Sequence, residues 1–225
     1  MFVSNAEAIA RRAMNRIEPR LADKYASLIR FLGMNPEAAS AMRGRRGVEP
    51  GSEAYIELQA DSFVAARAPR VPLPPATVPD EMVSVILGSY FNIAENELDR
   101  VKREHQLSMG AENLVGELLE RYLAEIMEPR GWIWCSGSIV KAVDFIKPPQ
   151  DASECWRSLQ VKNRDNSENS SSSAIRVGTT IEKWFRTFSR RRDLNWDAFP
   201  EEEIRPLVSE AGFQEFVKAY LGKLK

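Results

Sequence analysis

The chain has 225 residues, of which 44% are hydrophobic and 28% are charged. This composition is typical of a folded globular protein and excludes a disordered or fibrous one. Its 31 basic and 32 acidic side chains leave a formal charge of −1, so the net charge neither requires nor excludes a polyanionic partner. The two cysteines, Cys135 and Cys155, form no CxxC pair, which excludes a disulfide framework and a zinc module.

The sequence gives no sign of a membrane segment. Its longest uncharged stretch, Met82 to Ala94, has 13 residues, whereas a helix needs about 20 to cross a bilayer. Residues 1–18 resemble an amphipathic transit peptide, but Glu7 and Glu18 argue against that interpretation. We therefore expect a cytoplasmic protein that does not contact a membrane.

Residues 1–78 are predicted to form a helical region that ends in a proline-rich connection. Apolar residues recur at helical spacing up to residue 67. Helix start signals stand at Ser4, at Asn35-Pro36 and at Ser52. Residues 68–79 contain five prolines, which disfavour helix and strand and favour a stiff, extended connection.

Residues 79–225 combine helical and strand patterns, so the predicted fold class is α/β (α+β), a mixed sheet flanked by helices. Helices are predicted over about 79–91, 94–105, 110–127, 179–192 and 201–224, and strands over 132–135, 138–146 and 156–162. Residues 163–173 contain no aliphatic or aromatic side chain and are predicted to form a polar loop.

Three polar side chains are predicted to meet at one edge of this sheet. Strand alternation within 138–146 places Asp144 on the side of Val140 and Ala142, so an acid interrupts an apolar strand. In the next strand, alternation separates Gln160 and Lys162 from Leu159 and Val161. If the two strands are neighbours, Asp144, Gln160 and Lys162 converge. Carboxylate and amide oxygens suit a hard cation such as Mg²⁺, and an ammonium group suits an anion beside it.

The preceding helix offers a further oxygen ligand. On a helical wheel Glu120 lies at the border of the apolar face, whereas Glu117 lies opposite that face and is predicted to be solvated. Without other information, an Asp in a strand is more often a hydrogen-bonded structural residue and a lysine more often extends to solvent. The structural alternative therefore stays open at this point.

The loop over about 163–176 has the composition of a DNA-reading segment, although such a loop is more often a surface linker. Arginine pairs with guanine, asparagine with adenine, and carboxylates accept from cytosine. The candidate DNA-binding residues are Arg164, Asp165, Asn166, Ser167, Glu168, Asn169 and Arg176. In the helix predicted after the loop, Lys183 and Arg186 are candidates for phosphate contacts.

The order of a helix with Glu120, a strand with Asp144 and then Gln160-Val161-Lys162 resembles the core of the PD-(D/E)XK nucleases. Val143 stands where those nucleases have proline, and Gln160 stands where they have an acid. The segment LQVKNRDNSENSSSSAIRVGTTIEKWFR is the more specific match, together with WIWCSGSIVKAVDFI and AENLVGELLERYLAEIMEP. It resembles the SinI-type family of type II restriction endonucleases, and the resemblance covers most of the chain.

The resemblance implies an enzyme, a type II site-specific deoxyribonuclease. It implies Mg²⁺-dependent cleavage of both strands of double-stranded DNA at a short palindromic site, expected as GGWCC, with 5′-phosphate ends. Asp144, Gln160 and Glu120 would hold the metal, and Lys162 would contact the scissile phosphate. A homodimer is expected, as is a cognate DNA methyltransferase that forms no stable complex with the enzyme.

Two alternatives stay open. A structure-specific DNA repair nuclease would share the catalytic residues but cut by DNA shape, and the polar loop favours a sequence-reading enzyme over it. A non-enzymatic DNA-binding protein would carry Asp144 and Lys162 only as a structural pair. Metal dependence distinguishes this second alternative from a nuclease, because a DNA-binding protein needs no Mg²⁺ to hold DNA and releases no fragments.

Overall fold

The computed structural model describes residues 1–42, 47–151, 153–165 and 181–225. Three helices form the N-terminal layer: α1 (Ala6–Ile17), α2 (Ala22–Met34) and α3 (Glu53–Ala65). The start of α3 is where its signal predicts, because the Ser52 hydroxyl accepts the Tyr55 N–H at 3.2 Å. The predicted helical character of this region is confirmed.

A four-stranded mixed sheet forms the middle layer. Its strands are β1 (Ile133–Trp134), β2 (Phe145–Lys147), β3 (Arg157–Arg164) and β4 (Ile181–Thr187), in that spatial order. The β1–β2 and β2–β3 pairs are antiparallel, and β3–β4 is parallel. Helices on both sides of a mixed sheet confirm the predicted α/β fold class.

The two faces of the sheet belong to two different hydrophobic cores. Ile133 and Ile146 pack into a core with α1, α2 and α3. Their neighbours in the strands, Trp134 and Phe145, pack with Leu159 into a second core on the other face. Because successive strand residues point to opposite faces, this alternation places the sheet between the N-terminal helices and the helices described next.

The second helical layer contains one helix where the sequence predicts two. α5 (Leu98–Met127) runs unbroken through 30 residues, so the predicted break between residues 105 and 110 is wrong. Gly110 explains the difference. A Cβ at this position would lie 2.7 Å from the carbonyl oxygen of Leu73, so the glycine lets the proline-rich connection cross α5. α4 (Glu81–Ser89) precedes it, and α6 (Glu210–Gly222) is shorter than the helix predicted over 201–224.

The strand predicted over 138–146 is wrong in its first half. Val140 forms an isolated antiparallel bridge with Ala39, and the Lys141 N–H donates to the Ala38 carbonyl at 2.8 Å. Ala142 then turns the chain with φ of +57°, and β2 begins only at Phe145. The predicted alternation of side chains between the two sheet faces therefore fails at Ala142. The residues before this turn pair with the N-terminal region and not with the sheet.

The amphipathic helix predicted over 179–192 is also wrong. Within the described residues from 181 onward the chain forms β4, which pairs in parallel with β3 along its whole length. Apolar residues at 181, 184, 185 and 188 suit a helical period but occur at both strand faces as well. The backbone hydrogen bonds of β3 settle the choice.

Among the described residues, no helix combines the length and the apolar character that crossing a membrane requires.

Candidate active site

Asp144 is held at the start of β2 by both neighbouring strands. Its carbonyl accepts the N–H of Cys135 at 2.8 Å, and its own N–H donates to Leu159 at 2.9 Å. Its carboxylate Oδ2 accepts the backbone N–H of Val161 at 2.7 Å. The left-handed backbone of Ala142 lies two residues earlier, so a strained turn sets the direction in which Asp144 enters the sheet.

Gln160 and Lys162 flank the residue that binds Asp144. β2 and β3 are neighbours, as the predicted convergence requires, and Leu159 and Val161 share one core as alternation predicts. Gln160 is buried, whereas Lys162 is half-buried. The charge of Lys162 lowers the pKa of Asp144, which shows that its ammonium group acts on that carboxylate. The strand pairing therefore places the Asp144 carboxylate beside the Gln160–Lys162 segment of β3.

Glu120 reaches the same site from α5. Its Oε2 accepts a hydrogen bond from the Trp134 indole N–H at 3.0 Å. Burial and then the charge of Asp144 raise the pKa of Glu120 to about 8, against the opposing effects of the Trp134 hydrogen bond and the charge of Lys162. The hydrogen bond to Trp134 therefore directs the Glu120 carboxylate to a place where the charges of Asp144 and Lys162 act on it.

The two acids are poorly neutralised in the isolated chain. Burial raises the pKa of Asp144 to about 6, although the Val161 N–H and Lys162 both favour its ionised form. Two buried carboxylates of raised pKa beside one ammonium group create a place where a cation is electrostatically favoured.

The donor set suits a hard divalent cation such as Mg²⁺. The part of the chain that the structure describes has no group of three or more His, Cys, Asp or Glu side chains placed to hold a metal ion. Mg²⁺ does not need such a cage, because it is typically held by one or two carboxylates together with waters and substrate phosphates. Asp144 and Glu120, with the Gln160 amide as a third oxygen, fit that pattern.

Glu117 is not solvated as the helical wheel predicts, but is mostly buried in an ion pair. Its side chain is 17% exposed, and it binds the Arg121 guanidinium at 2.7 Å and that of Arg70. Arg121 also donates to the backbone carbonyls of Ala66 and Ala68, so this ion pair fastens α5 to the end of the N-terminal layer. Glu117 therefore has a structural role, and Glu120 is the acid of α5 that remains for the site.

Trp134 is the site residue that sequence reasoning misses. The sequence indicates only a core aromatic, and its side chain does pack in the core. Its indole N–H, however, contacts the candidate acid. The order of helix and strand is the only signal that could have pointed to this contact.

The candidate DNA-reading residues fall into three groups. Arg164 is exposed. The Asp165 carboxylate accepts the Ser189 N–H at 2.8 Å, so it binds the end of β3 to the segment that follows β4. The remaining loop candidates, Asn166, Ser167, Glu168, Asn169 and Arg176, lie outside the described residues. Lys183 and Arg186 stand on β4 instead of a helix.

The two basic residues of β4 have different surroundings. Lys183 is the register partner of Gln160, so it lies on the strand next to the candidate active site. The Arg186 guanidinium binds both carboxylate oxygens of Glu210, at 2.6 and 2.8 Å, and Asn163 at 2.9 Å. Arg186 therefore connects β4 to α6, and its predicted phosphate contact would have to compete with this ion pair.

A basic cleft of about 390 Å³ lies beyond the end of β4. Arg164 lines one side, and the turn that follows β4 supplies exposed Arg190, Arg191 and Arg192. The Arg191 guanidinium stacks 3.5 Å from the centre of the Phe188 ring. This surface therefore concentrates positive charge at the end of β4.

Comparison with known proteins gives one consistent result. The model of the SinI restriction endonuclease family matches residues 6–223. The type II restriction enzyme Eco47I of Escherichia coli is 55% identical over 99% of this chain and 97% of its own length. The type II restriction enzyme SinI of Salmonella infantis is 51% identical over 100% of this chain and 97% of its own length.

Proposed function

Since the chain belongs to the SinI restriction endonuclease family, we propose that it is a type II restriction endonuclease that uses Mg²⁺ to cut both strands of DNA at a short palindromic site. The observation that carries the catalytic part is the meeting of Asp144, Glu120 and Lys162 at the β2–β3 pair. We assign this core to the PD-(D/E)XK arrangement, with Gln160 in place of its second acid. The expected site is GGWCC, and the expected place of action is the cytoplasm.

The proposed reaction is hydrolysis of a phosphodiester. The oxygen of a water forms a bond to phosphorus, the bond from phosphorus to the 3′ oxygen breaks, and that oxygen takes up a proton, which leaves a 5′ phosphate and a 3′ hydroxyl. Bound Mg²⁺ would supply a Lewis acid that offsets the negative charge of the transition state. Asp144 and Glu120 would hold the ion, directly or through water.

The chain's own groups orient the reacting atoms. Lys162 would contact the scissile phosphate and orient the attacking water, a role supported by the effect of its charge on both acids. Gln160 would supply an amide oxygen to the metal without adding a third negative charge. The hydrogen bond from Val161 fixes the Asp144 carboxylate before substrate binds.

DNA binding is proposed for the basic cleft and the neighbouring loop. Arg190 to Arg192 would contact phosphates, and the loop over about 163–176, with Arg164, would read base edges. A palindromic site has two equal halves, so the proposal includes a homodimer in which each subunit cuts one strand. The cognate methyltransferase would act on the same sequence as a separate protein.

The test is incubation of the purified protein with a plasmid of known sequence, with Mg²⁺ and with EDTA. Discrete fragments that require Mg²⁺ and map to GGWCC are the expected result. Fragments at another sequence would overturn GGWCC, cutting by DNA shape would favour the repair nuclease, and an intact plasmid would favour the non-enzymatic binder.

The residue assignment has its own test. Asp144→Ala and Lys162→Ala should each abolish cleavage while specific binding persists in a gel-shift assay with Ca²⁺. Lys218→Ala, at an exposed position of α6, is the matched control and should cut normally. Cleavage by Lys162→Ala at the normal rate would show that this lysine is not part of the reaction.

A further inference from the structure

α4 has the composition of a buried helix and the exposure of a surface helix. After Glu81 it contains no charged residue, and none of its residues is buried. Met82, Val85 and Ile86, which share one side at helical spacing, expose 59%, 52% and 55% of their area. A helix that is apolar on all sides is normally covered by protein or lipid, so this exposed side indicates a surface made for an interaction.

The apolar surface continues beyond α4. Tyr90 and Phe91 follow the helix with 77% and 59% exposure, and Leu107 of α5 is 55% exposed. The inner side of α4 faces α5 across an apolar groove of about 460 Å³ that Val83 and Met109 help to line. We call α4, residues 90–97 and the first turns of α5 up to residue 109 the apolar arm.

The exposed apolar side chains of the arm form a concentrated set. Six of them are each more than half exposed, namely Met82, Val85, Ile86, Tyr90, Phe91 and Leu107. Scattered single apolar residues are normal on a monomer surface, whereas a concentrated exposed set of this kind is typical of an interaction site.

The charge of the arm excludes DNA as its partner. Residues 80–109 contain six acidic side chains against three basic ones, a formal charge of −3. Two of the three basic ones already bind acids of the same helix region: Arg100 binds Glu97 and Glu104, and Lys102 binds Asp99 at 3.0 Å. Phosphate binding requires unneutralised positive charge, so the occupant of this surface is another protein surface.

We propose that the apolar arm binds the same arm of a second copy of this chain around a two-fold axis. An isologous contact suits a surface whose centre is apolar, because the same exposed side chains of the two copies can cover one another. The proposal deepens the proposed function and rests on it, since cutting both strands of a palindromic site calls for two active sites.

The arm and the candidate active site share one helix. Leu107 and Glu120 both lie in α5, thirteen residues apart, which corresponds to about 20 Å along the helix axis. Dimerisation through the arm therefore fixes the position of each Glu120 relative to the two-fold axis. The unbroken course of α5 through Gly110 makes this connection rigid.

The test is the molar mass of the full chain in solution, measured by light scattering over a range of concentrations. We expect the wild-type chain at about 51 kDa, twice its 25.5 kDa, and Ile86→Glu at the monomer mass, because it places a charge in the apolar contact. Ile17→Glu is the matched control, since Ile17 is an isoleucine of α1 with 41% exposure, and it should stay a dimer.

Circular dichroism and thermal unfolding verify that the variants fold. If Ile86→Glu does not fold, Tyr90→Ser takes its place, because Tyr90 follows the end of α4 and is 77% exposed. A wild-type chain that stays monomeric with and without DNA overturns the proposal, as does a dimer that survives a folded substitution in the arm. Plasmid cleavage by the wild type is measured in the same samples. If the wild type forms a dimer that Ile86→Glu dissociates, but the wild type does not cut the plasmid, the interface stands and the proposed function is refuted.

Discussion

The indole N–H of Trp134 donates a 3.0 Å hydrogen bond to Oε2 of Glu120, which joins β1 directly to the candidate acid of α5. The indole is itself held in place, because the guanidinium groups of Arg67 and Arg121 lie 5.1 and 5.3 Å from the ring centre. Trp134 therefore acts as a positioning residue: it orients Glu120 and favours its ionised form.

Replacing Trp134 with phenylalanine should move the acidic limb of the cleavage pH profile to higher pH. The substitution removes a hydrogen bond that lowers the pKa of Glu120, so the acid ionises later. The free energy of unfolding should also fall by about 1–3 kcal/mol, because a buried acceptor loses its donor. Single-turnover cleavage between about pH 6 and about pH 9 measures the shift.

Trp132→Phe is the control for that experiment. Trp132 is equally buried, but its indole nitrogen has no hydrogen-bond partner among the residues that the structure describes. Replacing Trp132 should therefore leave the acidic limb of the cleavage pH profile at the wild-type pH. An equal displacement in both variants would mean that the Trp134 contact has no specific effect on Glu120.

The stability of the metal-free chain should fall as pH rises from about 4.5 to about 8 through the titration of Glu120. The folded chain holds the proton with a pKa of about 8, above the ordinary value of 4.5, so the unfolded chain loses its proton first and becomes favoured. For one proton the slope is at most about 1.4 kcal/mol per pH unit. Urea unfolding in EDTA at several pH values measures it.

Glu120→Gln should flatten that dependence, because the amide does not titrate. Glu125→Gln, at an exposed position of the same helix, is the matched control and should keep the wild-type slope. The assignment is refuted if Glu120→Gln and the wild type lose stability equally between pH 6 and pH 8, a window that lies below about 8.

Arg67→Met should destabilise the chain by about 3–5 kcal/mol, since it breaks a mostly buried ion pair. Arg67 binds Glu128 at 2.8 Å, the Ser136 hydroxyl at 3.0 Å and the Trp134 carbonyl at 3.0 Å, so it fastens the end of α3 to β1. Arg70→Met removes an arginine whose side chain is 68% exposed and should cost less than about 1 kcal/mol. Equal losses in denaturant unfolding would contradict this role of Arg67.

Arg190→Gln combined with Arg192→Gln should weaken DNA binding and reduce its salt dependence. Each lost phosphate contact lowers the slope of log K against log salt by about 0.9, so two contacts lower it by about 2. Fluorescence anisotropy with a duplex in Ca²⁺ at several salt concentrations gives the slope. Lys218→Gln on α6 should keep it, and an unchanged slope in the double variant would exclude these arginines from the DNA interface.

Local patterns were sufficient to predict much of the chain. The cap at Ser52, the apolar spacing of residues 110–127 and the alternation of Leu159 and Val161 each depend on neighbouring residues, and each predicts its element type correctly. The relation of Asp144 to Gln160 and Lys162 needs only that two adjacent strands pair, which is the commonest arrangement of consecutive strands. Burial of Glu120 at the border of its helix follows from the same spacing.

Only the tertiary structure decided what depends on distant partners. Residues 181–187 carry apolar side chains compatible with a helix or a strand, and the free backbone edge of β3 selected the strand. Residues 139–141 pair with the N-terminal region, which no local pattern encodes. The chain's own sequence thus determined which residues are candidates for the chemistry, whereas backbone hydrogen bonds between segments far apart in sequence determined how the strands that carry them meet.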